Sequence, residues 1–323
     1  MFSTSFFLRN RHIQTLYAPL LRKQNKPQIE SEIFELEDGD FVECYWHDTK
    51  PIDERPIVVL LHGLTGSFNS PYIQGMMHAL KAEGFASVLM HFRGCSGKEN
   101  RLPRGYHSGD TTDVKAWIDH LHHIYPNNDL YAVGYSIGGN VLLKLLGEER
   151  EKTLLSAAVS VSAPMLLDVC TQIISKGFSK LYERHLLSSL RASLLKKYTL
   201  FDMETRLKYK KEDIHKIQTI EAFDEVYTAP IHGFSSAREY YNLCSSKQFL
   251  KHIHIPTHII HAEDDPFMDE RVIPKEEELS SSVTLEVSPY GGHVGFISGS
   301  LFKPKYWLEE RVVQYFLENQ RGV

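Results

Sequence analysis

Residues 130–146 read Leu130-Tyr131-Ala132-Val133-Gly134-Tyr135-Ser136-Ile137-Gly138-Gly139-Asn140-Val141-Leu142-Leu143-Lys144-Leu145-Leu146. An apolar run leads into the pentapeptide G-x-S-x-G, and a run with helical apolar spacing follows it. Strand, sharp turn and helix in that order frame a nucleophile elbow. In such a turn Ser136 sits on strained backbone with its Oγ exposed, and the flanking glycines remove side chains that would clash. The helix N-terminus behind it favours developing negative charge. Gly and Ser are common turn residues, so the pentapeptide alone would equally fit a plain strand–helix connection. The flanks favour the elbow.

Other short runs repeat the pattern of this strand. Ile57–Leu61, Ala86–Met90, Ala157–Val161 and Thr257–Ile260 are almost wholly apolar and alternate with helical stretches at about 71–83, 112–124 and 139–149. Strands buried on both faces belong to a parallel sheet with helices on either side. Residues 31–37 and 41–47 alternate instead, around the turn Asp38-Gly39-Asp40, and predict an antiparallel hairpin ahead of that sheet. Strand and helix return at 283–287 and 304–319. Between 164 and 250 no strand is convincing, while Ile173, Ile174, Leu181, Leu186, Leu187, Leu190 and Leu194 keep helical spacing. The expected fold is therefore α/β, with a core of residues 1–163 and 251–323 and a helical cap inserted at 164–250.

Composition limits the alternatives. The chain has 323 residues, 42% hydrophobic and 24% charged, which is ordinary globular composition. Its 36 Lys and Arg against 41 Asp and Glu leave −5, so nothing points to nucleic acid. Ile57–Leu61 is the longest wholly apolar run and is far too short to span a bilayer. Arg9 and Arg11 follow the Phe2–Leu8 patch rather than precede it, unlike a secretory signal. Cys44, Cys95, Cys170 and Cys244 lie far apart in sequence and read as free thiols in a reducing, cytoplasmic setting. Oligomeric state is not legible.

A serine nucleophile needs a base and an acid, in the chain order Ser, acid, His for this fold. His261-Ala262-Glu263-Asp264-Asp265-Pro266 follows one strand and Gly291-Gly292-His293 follows the next. His293 is the expected base. Asp265 is favoured as the acid orienting it, with adjacent Asp264 open as the alternative. The oxyanion would be held by the backbone N–H of Ile137 and one from His62-Gly63-Leu64-Thr65-Gly66, with Leu64 the choice. His62 itself has a packing role as its plainer reading.

Other signals are weaker. His120, His122 and His123, and the group His252, His254, His258 and His261, lack zinc-site spacing, so no metal is expected. No glycine-rich loop reads as a phosphate or dinucleotide fingerprint, and no cofactor is expected. Arg93, Cys95 and Ser96 could line the site or pack a tight turn. Tyr106–Asp110 is read as structural. Residues 171–216 hold 11 Lys/Arg against 5 Asp/Glu, a local +6. A solvated cover over an apolar acyl pocket is preferred there to an interfacial lid, leaving weak lipid contact by the cap open.

Taken together, several segments resemble the YheT-like α/β-hydrolases, grouped with the abhydrolase-domain esterases and lipases. They are Arg11-His12-Ile13-Gln14-Thr15, His62–Ser67 through Ser70-Pro71-Tyr72, and His91–Gly97. Further on come Tyr106–Asp110, Gly134–Asn140, Asp264–Phe267 and Gly291–Phe296. Ile137 replaces a usual leucine and Asp110 a common glutamate, changes that keep the backbone N–H and the charge. The resemblance implies a serine carboxylesterase with Ser136 as nucleophile and His293 as base. The expected substrates are small-molecule esters with short- to medium-chain acyl groups, including acylglycerol-like lipids. An acyltransferase or thioesterase using the same residues is the alternative, and a non-catalytic binding protein the reading from a different class.

Overall fold

The computed structural model describes residues 2–320. Eight strands form one sheet: β1 (Ile29–Glu35), β2 (Phe41–His47), β3 (Ile57–Leu61), β4 (Ala86–Met90), β5 (Leu130–Tyr135), β6 (Ala157–Val161), β7 (Thr257–Ala262) and β8 (Val283–Ser288). Their order across the sheet is β1-β2-β4-β3-β5-β6-β7-β8. From β4 to β8 every pairing is parallel. The predicted hairpin is not detached from this sheet, because β2 pairs antiparallel with β4 through Cys44, Tyr45 and Trp46. All residues of β3, β4, β5, β6 and β7 are buried, as two-sided helix cover demands.

Helices α1 (Arg11–Leu21), α2 (Pro71–Ala82), α3 (Thr112–Ile124) and α4 (Ile137–Glu149), with helix Trp307–Glu318, surround the sheet. Helix α4 starts at Ile137, two residues earlier than its apolar spacing suggests, because the turn at Ser136 passes directly into helix. Helix α1 is absent from the sequence-based expectation, and so is the two-stranded ribbon Ile297–Gly299 with Pro304–Tyr306. Between β6 and β7 the described residues form α5 (Leu167–Ile174), α6 (Lys180–Leu200), several one-turn helices and helix Ala237–Cys244, without a strand. No helix among the described residues is long and apolar enough to cross a membrane. The four cysteines are free thiols.

Arg93, after β4, proves to be a structural group. Its Nε and Nη2 donate to the two Asp113 oxygens at 2.6 and 2.7 Å, and Nη1 reaches Asp38 at 2.8 Å and Asp40 at 3.1 Å. The guanidinium thus ties the β1–β2 turn to the first turn of α3. Its side chain is 2% exposed and faces three carboxylates, with Arg104 a second, more distant cation 3.8 Å from Asp38 and 3.6 Å from Asp113. Removing one partner of such a cluster leaves uncompensated charge. Arg93→Ala is expected to lose ~3–5 kcal/mol of stability in urea unfolding. A loss under ~1 kcal/mol would mean that the carboxylates find other partners.

Candidate active site

The elbow forms because three backbones crowd together. A Cβ on Gly138 would stand 2.5 Å from the Leu61 carbonyl of β3, and one on Gly134 would run into the Gly138 carbonyl. Only glycine lets α4 descend this close to β3 and β5. The turn leaves Ser136 at φ 52°, ψ −122°, a region that costs a non-glycine residue about 1–3 kcal/mol. Its N–H is fixed by the Val161 carbonyl at 2.9 Å.

The side chains named from the sequence meet here. Ser136 Oγ lies 2.9 Å from His293 Nε2, and His293 Nδ1 lies 2.8 Å from Asp265 Oδ2. Asp265 is 1% exposed and takes a second bond from the Phe267 N–H at 2.8 Å. The Phe267 ring stacks on the imidazole, centroids 4.1 Å apart. Asp264 turns the other way and accepts from the Gly292 N–H at 2.8 Å, so of the two aspartates it is Asp265 that touches His293.

Leu64 and Ile137 line the same cavity as Ser136 and His293. Among the described residues no acceptor meets either N–H, whereas those of Gly63, Thr65 and Ser136 are engaged. The Gly63 N–H donates to the Tyr72 hydroxyl and the Thr65 N–H to the Tyr106 hydroxyl, both at 2.9 Å. These tyrosines brace the loop on either side of Leu64 and assign Tyr106 a structural task. His62 beneath is fully buried. Its Nε2 accepts from the Phe92 N–H at 3.1 Å, so Nδ1 carries the proton and donates to the Gly63 carbonyl. Burial pushes this imidazole down to about 3, which keeps it neutral. Burial likewise pushes the Cys95 thiol up to about 12, leaving it a poor nucleophile.

Several contributors escape sequence reasoning. Three consecutive N–H groups of the His293 loop are each accepted by a side chain from a different element. Gly292 uses Asp264, His293 uses Thr15 Oγ1 of α1 at 3.0 Å, and Val294 uses Ser162 Oγ at 3.1 Å. Helix α1 is held in turn by Gln14, fully buried, which bonds both the N–H and the carbonyl of Ile297. Asn140 of the elbow helix reaches the Ser108 and Cys244 carbonyls and the Ser246 N–H. The cavity above Ser136 measures about 520 Å³, and its walls include Leu167, Ile174, Leu186, Ile220, Tyr240 and Phe267.

Asp224 is the buried carboxyl in that wall, bonded by Thr228 Oγ1 and the Tyr241 hydroxyl at 2.7 Å each. Burial pushes it up to about 6.

The histidine runs weighed as metal ligands do not converge. The group that does gather among the described residues is His107, Asp110 and His232, within 4.8 Å of one another. Arg104 already sits 3.3 Å from Asp110, and both ring nitrogens of His232 face backbone carbonyls. That donor set is spent on the fold.

Residues 56–300 match the α/β-hydrolase fold family. YheT of Escherichia coli (strain K12), provisionally named an esterase, is 43% identical over 304 residues, 94% of this chain and 89% of that one. A phospholipase of Mus musculus is 30% identical over 312 residues, 94% of this chain and 75% of that one. Among solved structures, the Pyrococcus furiosus esterase Pf2001 superposes with a TM-score of 0.59 at 18% identity, covering 93% of this chain and 95% of that one. That last likeness establishes the shared fold.

Two outcomes are expected. Thr15→Val should slow fluorophosphonate labelling of Ser136 by ~10-fold or more while moving the melting temperature by only ~1–3 °C, since a small displacement of His293 matters more to reactivity than one hydrogen bond does to stability. An unchanged labelling rate would remove Thr15 from the positioning of His293. Asp224 holds its proton longer folded than unfolded, so it lowers stability as pH rises from its ordinary 3.8 to about 6 and adds no further slope above. Asp224→Asn should flatten that part of the melting-temperature profile. A slope as steep in the variant would assign it to other groups.

Proposed function

The chain belongs to the α/β-hydrolase fold family, and on that premise we propose that it is a serine carboxylesterase acting through an acyl-enzyme. The observation carrying this reading is the unbroken series Asp265–His293–Ser136, at 2.8 and 2.9 Å, facing two unspent N–H groups. Ser136 Oγ attacks the acyl carbonyl while His293 Nε2 takes its proton. Asp265 holds the Nδ1–H and stabilises the imidazolium that forms. The carbonyl π electrons move onto oxygen, where the N–H groups of Leu64 and Ile137 receive them. One such donor is worth ~3–4 kcal/mol of transition-state stabilisation. Collapse of the tetrahedral species breaks the ester C–O bond, and His293 protonates the departing alcohol. Water, deprotonated by His293, then releases the acid and restores Ser136.

Residues 164–250 act in this reading as the cap of a core formed by 1–163 and 251–323. Leu167, Ile174, Leu186 and Ile220 from that segment face the cavity, and Asn140 secures its return to the core at Cys244–Ser246. A 520 Å³ space with apolar walls lies within the usual range for small-molecule sites and suits a short- to medium-chain acyl group, including one carried on an acylglycerol. The esterase and phospholipase names among the relatives support an ester substrate.

Ser136→Ala is expected to lower kcat/KM on p-nitrophenyl acyl esters by ~10⁴-fold or more, and Asp265→Asn by ~10²–10⁴-fold. The parent should gain a single fluorophosphonate adduct in intact-mass spectra and Ser136→Ala none. Near-normal turnover by Ser136→Ala would end the assignment. A folded parent that neither labels nor turns over would favour a non-catalytic binding protein.

A further inference from the structure

The mouth of the cavity is framed by apolar side chains that are half or more exposed among the described residues. On one wall, Leu20 at the end of α1 lines the cavity and is 71% exposed, and Leu21 beside it is 62% exposed. Outside the cavity lining, the turn leading into α1 exposes Phe6 and Phe7, at 76% and 74%. On the other wall, Phe178 and Leu181 line the cavity and are each 51% exposed. The walls meet at His12, whose ring lies 4.2 Å from that of Phe178 and whose Nδ1 is 3.0 Å from the Tyr182 hydroxyl. Monomeric proteins seldom leave such a rim bare without a use for it.

Charge selects the occupant. Residues 2–29 contain Arg9, Arg11, Arg22, Lys23 and Lys26 and no Asp or Glu, although the whole chain carries −5. Arg22 is spent on Glu309, but Arg9, Arg11 and Lys23 are exposed, as are Lys176, Lys180 and Arg184 on the opposite wall. An apolar rim alone would suit any apolar partner. Rimmed by cations on both walls, it matches an anionic phospholipid surface, where acyl chains take the apolar groups and headgroups take the cations.

We propose that α1, the turn before it and the start of α6 form a docking collar for an anionic lipid surface, holding the cavity mouth against that surface. This places the anchoring on both sides of the mouth, with α1 as a full partner to the helical segment 164–250. The binding step stands on the surface alone; only its use, delivering an acyl ester without a passage through water, rests on the esterase reading.

The experiment is co-sedimentation of the full chain with phosphatidylcholine vesicles, with and without about 30% phosphatidylglycerol. Binding to the anionic vesicles is expected at about 0.05 M salt, with a loss of ~5-fold or more at about 0.5 M. Phe6→Ser/Phe7→Ser/Leu21→Ser should abolish it, with turnover of a water-soluble short ester retained. Arg9→Glu/Lys23→Glu/Lys180→Glu changes only exposed side chains, should weaken binding as high salt does, and carries the test should the first variant misfold. Failure to bind anionic vesicles at low salt, or binding indifferent to both variants, would overturn the proposal. So would a parent dimer in sedimentation equilibrium that the serine variant loses, since a second copy would then cover the collar. Loss of ester turnover in a parent that still binds vesicles would instead count against the esterase reading.

Discussion

The close approach of α4 to β3 and β5 is the constraint on which the site depends. It forces Ser136 out of the ordinary backbone regions, and the local cost can persist only because the surroundings over-determine the turn. Those surroundings are the parallel sheet itself. The Val161 carbonyl of β6 fixes the Ser136 N–H, the Leu61 carbonyl of β3 leaves room only for a hydrogen at Gly138, and the loop after β3 carries Leu64 to the same point. A helix half a turn further back would relax the serine, but would also withdraw Ile137 from the cavity that Leu64 lines. The strain at Ser136 and the place of Ile137 beside that cavity thus arise from one packing contact.

Around that fixed point the protein builds by hydrogen-bond saturation. Donors that would wander are given acceptors: Tyr72 and Tyr106 for the loop before α2, and Asp264, Thr15 and Ser162 for the loop of His293. Among the described residues the Leu64 and Ile137 N–H groups meet no acceptor, and beside the cavity that both residues line they are open to a ligand oxygen. Asn140 extends the same logic to the helical segment, fastening its return to the core at Cys244–Ser246 to the elbow helix.

Much of this is legible in the sequence, and the limits have physical causes. The sheet shows in its continuous apolar runs, since burial on both faces erases alternation, and the elbow shows because steric crowding admits so few residue types. Helix α1 stays hidden because Pro19 stands within its eleven residues and the adjacent pair Leu20-Leu21 closes it without helical spacing. The path inside 164–250 is equally obscure, because its one-turn helices pack on α6 and on one another, through Leu187, Leu194, Ile214, Ile217 and Phe223, contacts that local spacing does not record. Asp264 and Asp265 are chemically identical neighbours, and only the fold of their loop sends one to His293 and the other to Gly292. Thr15 and Ser162 act across 278 and 132 positions, which no local pattern records.

The partnership of Thr15 with His293 also bears on time. Ser136 and His293 are 157 residues apart, so at about 5–20 residues per second a ribosome needs roughly 8–30 s to pass from one to the other. Through that interval the nascent chain holds the elbow sequence without its imidazole. Even once His293 has emerged, its loop must find α1, whose Thr15 lies 278 residues before it. In the proposed mechanism reactivity therefore comes late in the birth of the molecule, when segments 278 residues apart have closed on each other, and a chain that has not reached His293 is a silent one.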